Sequence, residues 1–172
     1  MAWTTPRTWS VNEVLTAANM NTYLSDDLRW LGTDFPRATA IGTLSVATGS
    51  AFQTPTGSWS SASPNVGGMY TSSAMYLTVP TAGAYVFTAL VIFSTSPTGK
   101  RGVAISSSAA GAGTIWAEDV REPTQNTELT VITITTPPVQ LSAFQQVHLG
   151  VRQNSGSSMS VSAKFGGHWI GT

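Results

Sequence analysis

The sequence predicts a mainly β domain, an antiparallel jelly-roll sandwich, that follows a short amino-terminal arm and helix. Three observations lead to this prediction. About eight short segments after residue 38 carry apolar residues in strand-like patterns, turn residues separate them, and no helical pattern lies between them, a combination typical of sandwiches and jelly rolls. The 172 residues therefore divide into an arm and helix, residues 1–37, and a jelly-roll domain, residues 38–172.

The helix is predicted from an apolar stripe. Its members recur at spacings of four, four and three residues, which places them on one helix face; they are Met20, Leu24, Leu28 and Leu31. Two starts are open. Residues 10–13, SVNE, have the form of a capping box, and Thr16 can instead cap a helix that begins at Ala17. Gly32 predicts the end of the helix.

A short helix with a Trp-bearing arm is not stable alone, so it must dock on another surface. One interpretation is an amphipathic helix packed on its own domain. The interpretation that we favour is an anchor to another protein. The anchor residues would then be Trp3, Pro6, Arg7, Trp9, Leu15, Met20, Leu24, Leu28, Trp30 and Leu31.

The remaining elements are strands and the turns between them. Residues 80–83, PTAG, predict a turn between two strands. Residues 49–68 are rich in Ser, Gly, Pro and Thr, and we expect Phe52 and Trp59 to pin this loop onto the sandwich. Strands are predicted at Thr39–Ala47, Met69–Val79, Ala84–Phe93, Gly102–Ser106, Thr114–Ala117, Thr127–Thr136, Val147–Val151, Met159–Phe165 and His168–Ile170.

The charge distribution predicts contact between subunits. Only 9% of the residues are charged, and no Asp, Glu, Lys, Arg or His occurs from Ala38 to Gly99. Within that stretch, residues 85–93, YVFTALVIF, are apolar on both faces, so a second surface should cover the outer face. Interface centres are depleted of charge. The predicted interface residues are Tyr85, Phe87, Leu90, Ile92, Phe93, Val147, Leu149 and Trp169.

The amino-terminal segment resembles a module of tailed-phage structural proteins. The similarity lies in residues 9–21, WSVNEVLTAANMN, and residues 27–31, DLRWL. Asn12 stands where the module usually has Gly, and Asp27 where it has Asn; neither change touches the apolar stripe. The resemblance implies attachment to a phage particle.

The rest of the chain is similar to the trimeric jelly roll of complement globular heads and tumour-necrosis-factor ligands, in its phage version. The matching stretches are residues 77–85, LTVPTAGAY, the pair Lys100-Arg101, residues 147–156, VHLGVRQNSG, and residues 165–171, FGGHWIG. The resemblance implies a homotrimer on a virion, bound through its helix-bearing end. It leaves the choice between capsid and tail open.

Composition argues against several classes of function. Eight scattered Lys and Arg residues make no cationic footprint for nucleic acid. No apolar run is long enough for a transmembrane helix, and no secretory signal precedes the domain, so we expect synthesis in the host cytoplasm without membrane insertion. The absence of cysteine excludes disulfides and thiolate sites.

The few ionisable residues do not predict an enzyme or a cofactor. His148 lies in a strand, where we expect it on the wetter face, and His168 adjoins Trp169; no Gly-x-Ser-x-Gly motif accompanies them. The carboxylates at 118, 119, 122 and 128 are a weak calcium candidate, because Arg121 lies among them and favours a solvated, self-paired loop. We expect no metal.

Two functions follow from these patterns. The first is a surface-exposed trimeric knob of a phage virion, with self and other virion proteins as partners, and capsid decoration or head fibre is favoured slightly over minor tail protein or tail fibre. The second is a receptor-binding head of a tail fibre that contacts host-surface glycans through Trp59 and Trp116. The alternative role for these two residues is to fill a core or an interface.

Overall fold

The fold is taken from a computed structural model that describes residues 8, 10–14, 16–25, 28, 35–57, 59, 61–71, 75–123 and 128–171. The chain divides into two compact units, Met1–Phe35 and Pro36–Thr172. Of the proposed anchor residues, seven lie outside the described residues: Trp3, Pro6, Arg7, Trp9, Leu15, Trp30 and Leu31.

The amino-terminal unit contains a short helix, α1 (Ala17–Met20), followed by a π-helical turn (Asn21–Ser25). Thr16 is the N-cap, because its side chain accepts a hydrogen bond from the Asn19 amide at 3.2 Å. Of the two predicted starts, the structure therefore adopts the second. Three residues of the apolar stripe are described, and all three are exposed: Met20, Leu24 and Leu28.

The second unit consists of two antiparallel sheets. Sheet 1 contains β1 (Arg37–Val46), β3 (Thr56–Gly57), β4 (Ser61–Val66), β6 (Gly83–Phe93), β9 (Thr130–Thr135), β10 (Val139–Leu141) and β12 (Met159–Gly171). Sheet 2 contains β2 (Gly49–Gln53), β5 (Tyr76–Thr78), β7 (Arg101–Ser106), β8 (Ile115–Arg121) and β11 (Gln146–Gln153). A short 3₁₀ helix (Ala109–Gly111) lies between β7 and β8.

Three long strands form the middle of sheet 1, in the order β6, β12, β1. Side chains alternate along each of them, and one face of each strand is buried. The centroids of the Phe87 and Phe165 rings lie 6.3 Å apart in the core. A side chain at Gly167 would overlap the Phe87 ring, so glycine makes room for the aromatic residue of the next strand.

Several predictions about strands need correction. Of the predicted strand Met69–Val79, only Tyr76–Thr78 is a strand among the described residues. Residues 49–68, predicted as a loop, contain β2, β3 and β4. Two of these, β3 and β4, pair with β1 at the edge of sheet 1. Such strands are held by backbone hydrogen bonds and leave most described side chains exposed, so they lack the apolar alternation that predicts a strand. The short strand β10 is missing from the prediction for a similar reason, since it spans three residues.

Candidate interaction surface

The outer face of sheet 1 carries apolar side chains that the core does not bury. On β6 the inward set is fully buried, whereas Leu90 and Ile92 point outward and are half-buried. Ile41 on β1 is 37% exposed and Val131 on β9 is 44% exposed. Strand β6 is therefore apolar on both faces in the folded chain, and its outer face remains accessible.

The strand register brings these residues into two adjacent rows. In the first row, Leu90 pairs with Lys164, and Lys164 pairs with Ile41 on the other side. In the second row, Ile92 lies between Val131 and a serine of β12. A shallow depression follows the rows, and its lining residues are Ile41, Gly42, Thr43, Leu90, Ile92, Ser162, Ala163 and Lys164. We call the outward side chains of Ile41, Leu90, Ile92, Val131 and Lys164 the sheet 1 patch.

Charge is scarce on this face. Among the described strands of sheet 1, the ionisable side chains on the outer side are Arg37, Lys164 and His168. Lys164 is exposed and forms no ion pair with the residues that the structure describes. The other outward positions on β1, β9 and β12 are mostly Ser and Thr. The patch thus consists of four apolar side chains and one exposed lysine, Lys164, which lies between Leu90 and Ile41, and hydroxyl-bearing residues surround it.

Five of the predicted interface residues lie in the core of the single chain and not on its surface. They have no exposed area, because they occupy the inward positions of β6 and β11; they are Tyr85, Phe87, Phe93, Val147 and Leu149. The Tyr85 hydroxyl donates a hydrogen bond to the Thr81 carbonyl oxygen at 2.8 Å. Burial raises the pKa of Tyr85 to about 12.

The other three predicted interface residues differ in position. Leu90 and Ile92 belong to the sheet 1 patch, and Trp169 is half-buried against the core. The prediction omitted Ile41, Val131 and Lys164. The outward position of Ile41 could have been predicted from the period-two alternation of β1, because Ile41 lies on the same face of the strand as the polar residues Thr39 and Thr43.

The two tryptophans expected to contact a glycan do not form a platform. Trp59 is 5% exposed and belongs to the core, so its ring is not available for stacking on a sugar. Trp116 is half-buried and packs against the same core. Trp59 does lie against the sandwich, as expected of a residue that pins its loop.

His148 also departs from its prediction. It lies on the outer face of sheet 2, opposite Ser106 and Tyr76, yet only 7% of it is exposed. The Tyr76 and His148 ring centroids are 5.1 Å apart, and the Nδ1 atom is buried without a hydrogen-bond partner in the described part of the chain. Burial lowers the pKa of His148. His168, by contrast, is exposed.

Two of the carboxylates considered for calcium, Asp119 and Glu122, form ion pairs. Asp119 pairs with Arg121 at 2.6 Å, and Glu122 pairs with Lys100 at 3.2 Å. Within the described ranges, no group of three His, Cys, Asp or Glu side chains is placed to hold a metal ion. In the same ranges, no helix has the length and hydrophobicity that crossing a bilayer would require.

Comparisons with known proteins identify the fold. No family model and no curated protein matches the sequence. The structure is similar to the globular domain of the zebrafish complement 1qA protein, with a TM-score of 0.58 and 12% identity over 78% of this chain and 97% of that one. It is also similar to the Eiger TNF of S. frugiperda, with a TM-score of 0.52 and 14% identity over 80% of this chain and 93% of that one. The predicted mainly β, antiparallel jelly-roll fold is confirmed.

Proposed function

We propose that this chain is a structural protein of a bacteriophage virion: a non-catalytic homotrimeric knob on the particle surface, attached by residues 1–37, with its jelly roll, residues 38–172, pointing outward. The attachment is supported by the phage-like residues 9–31. The trimer is supported by the fold and by the sheet 1 patch, which is the observation that carries the proposal. Capsid decoration or a head fibre fits slightly better than a tail position, because a compact domain with one short anchor suits a shell.

The sheet 1 patch has the properties of a subunit interface. Interfaces between permanent partners are more apolar than the remaining surface, and charge is depleted at their centre. Leu90 and Ile92 lie on β6, Val131 lies on the adjacent strand β9, and Ile41 lies on β1 beyond β12, whose Lys164 is the one charged member of the patch.

Light scattering of the purified protein tests the trimer. We expect a mass three times the chain mass of 18.0 kDa. Replacing Leu90 with Lys should dissociate the trimer, because an ammonium group would enter an apolar contact. Gln146→Lys is the matched control, since Gln146 is exposed on sheet 2. A wild-type mass of 18.0 kDa, or a Leu90→Lys variant that remains trimeric, would contradict the proposal.

Deletion of residues 1–35 tests the anchor, because the second unit begins at Pro36 and β1 begins at Arg37. Met20, Leu24 and Leu28 are exposed, so their apolar stripe is free to contact another virion protein. We expect the truncated protein to keep its trimeric mass and to be missing from assembled particles. A truncated protein that is still incorporated would refute the anchor, and a symmetry-averaged image of the particle would distinguish capsid from tail.

A receptor-binding head is the second candidate, and it is compatible with the first. Buried Trp59 does not support recognition by aromatic stacking. The observation that favours a binding head is a pocket elsewhere on the domain in which Lys100 and Arg152 lie together.

A further inference from the structure

A polar pocket with two cations lies at one end of sheet 2. Arg152 comes from the end of β11, and Lys100 immediately precedes β7. The described residues that line it are Gly49, Ser50, Lys100, Arg152 and Asn154. We call this the Lys100–Arg152 pocket.

The Arg152 side chain is held in one position. Its guanidinium carbon lies 5.1 Å from the centre of the Phe52 ring, and Nη1 donates a hydrogen bond to the Ser50 carbonyl oxygen at 2.9 Å. A Cβ at Gly102 would lie 2.8 Å from Arg152 Cγ, so the arginine passes directly over a glycine. In the described part of the chain, no carboxylate forms an ion pair with Arg152.

The backbone of Lys100 is held from two sides. Asn154 Oδ1 accepts a hydrogen bond from the Lys100 amide, and the Asn154 amide donates to the Lys100 carbonyl oxygen at 3.3 Å. From the core side, Arg101 Nη1 donates to the same carbonyl oxygen at 3.2 Å. Gly99, with φ of 76°, brings the chain against the Asn154 backbone. The Arg152 guanidinium is therefore held in place, and for Lys100 the backbone from which the exposed side chain projects is fixed.

Positive charge at this end of the domain exceeds negative charge. Lys100 and Arg152 share the pocket, and fully buried Arg101 adjoins it, donating only to backbone carbonyl oxygens. Among the described residues, the one carboxylate paired with any of them is Glu122, whose Oε1 lies 3.2 Å from Lys100 Nζ. Cations held close together repel one another, so the arrangement favours an incoming anion.

We propose that the Lys100–Arg152 pocket binds the carboxylate of an acidic sugar. Arginine binds a planar carboxylate through parallel N–H groups, and lysine adds a second charge. The side-chain NH₂ group of Asn154 can donate hydrogen bonds to hydroxyl groups, and the described lining residues include no large apolar side chain that would favour a peptide. This inference deepens the receptor-binding candidate, and three pockets on one trimer would strengthen weak binding by avidity.

Titration followed by NMR tests the pocket in the full-length protein, with glucuronic acid as the probe and glucose as the uncharged control. We expect glucuronic acid to shift the Lys100 and Arg152 resonances and glucose to leave them unchanged. Inorganic sulfate separates a sugar-acid site from a general anion site, and an acidic peptide separates it from a protein-binding site. Equal or tighter binding of either one, or no binding of glucuronic acid, would overturn the proposal.

Three variants sharpen the test. Arg152→Gln should weaken glucuronic acid binding by about tenfold or more, which corresponds to the loss of one charge-assisted contact. Lys100→Gln should weaken it by about threefold, and this variant serves if Arg152→Gln does not fold. Glu122→Gln should strengthen binding by about twofold to fivefold, because it removes the carboxylate that competes for Lys100.

The matched control is Glu118→Gln, an exposed carboxylate of β8 that lies outside the pocket lining and outside the sheet 1 patch. We expect this variant to bind glucuronic acid as the wild type does. Weaker binding by Glu122→Gln, or an equal gain in Glu118→Gln and Glu122→Gln, would overturn the assignment. Light scattering of each variant reports the trimer separately, so failure of the pocket and failure of the proposed trimer are distinguishable.

Discussion

Replacing Gln153 with Leu should markedly lower the melting temperature of the jelly roll. Gln153 ends β11 and is fully buried. Its Nε2 donates to the carbonyl oxygens of Val46 at 3.1 Å and Ser157 at 2.7 Å, while Oε1 accepts from the Ser155 amide at 2.8 Å and the Ser155 hydroxyl at 2.7 Å. One side chain thus ties the end of β1 to sheet 2 and to the turn before β12.

The magnitude follows from these four hydrogen bonds. Leucine has a similar size but no polar atoms, so all four are lost and the buried Val46 carbonyl loses this partner. A typical hydrogen bond contributes about 1 kcal/mol, and an orphaned buried group costs about 1–3 kcal/mol. Water can replace the bonds to the partly exposed Ser155 and Ser157. We therefore expect a loss of about 3–4 kcal/mol, a large part of the roughly 5–15 kcal/mol of a typical domain.

Thermal unfolding followed by circular dichroism measures this loss. At about 3 °C per kcal/mol for a domain of this size, the melting temperature should fall by about 10 °C. Gln146→Leu, at the exposed start of the same strand, is the control and should melt within about 2 °C of the wild type. All proteins must be compared at one concentration, since self-association raises the melting temperature. A decrease below about 3 °C for Gln153→Leu would refute the reasoning.

Three further predictions concern His148, Phe144 and Gly99. Because burial lowers the pKa of His148 below its ordinary value of 6.5, the unfolded state binds the proton more tightly; stability should be full above pH 6.5 and decrease as the pH falls below it. Chemical denaturation between pH 7 and 5 should show a smaller decrease for His148→Gln than for the wild type, and an equal decrease in the two proteins would contradict this reasoning. Phe144 is 78% exposed and has φ of 66°, so Phe144→Gly should raise the free energy of unfolding by about 0.5–1 kcal/mol in urea titrations; a decrease would contradict the strain argument. Gly99→Ala should lower that free energy by about 2 kcal/mol or more, because a Cβ there would overlap the Asn154 backbone, and an unchanged urea midpoint would contradict this.

Much of the fold can be predicted from alternation along the chain. The strands β1, β6, β7, β9 and β11 were predicted with close bounds, since each buries apolar side chains. The strands within residues 49–66 were not predicted, because backbone pairing with β1 holds two of them, β3 and β4, and burial of their side chains contributes little. Residues 159–171 form one strand where two were predicted, since Gly166 and Gly167 continue the pairing with β6.

The candidate surface was predicted only in part. That both faces of β6 are apolar follows from residues 85–93. In such a strand, however, alternation alone does not say which alternate set of side chains points outward. The interface prediction therefore mixed core residues such as Phe87 with surface residues such as Leu90. For Trp59 the sequence left two roles open, glycan contact or packing in the core, and the structure places it in the core because its loop lies against the sandwich.

By itself, the sequence determined the mainly β class, the charge-free stretch and the strand that is apolar on both faces. These properties are local, because a period of two and the absence of charge are visible in neighbouring residues. Only the tertiary structure decided which face of β6 is covered by the second sheet and which face remains accessible to solvent. It alone brought Lys100 and Arg152 to one pocket, because residues 52 positions apart in the chain meet only when β7 and β11 pair.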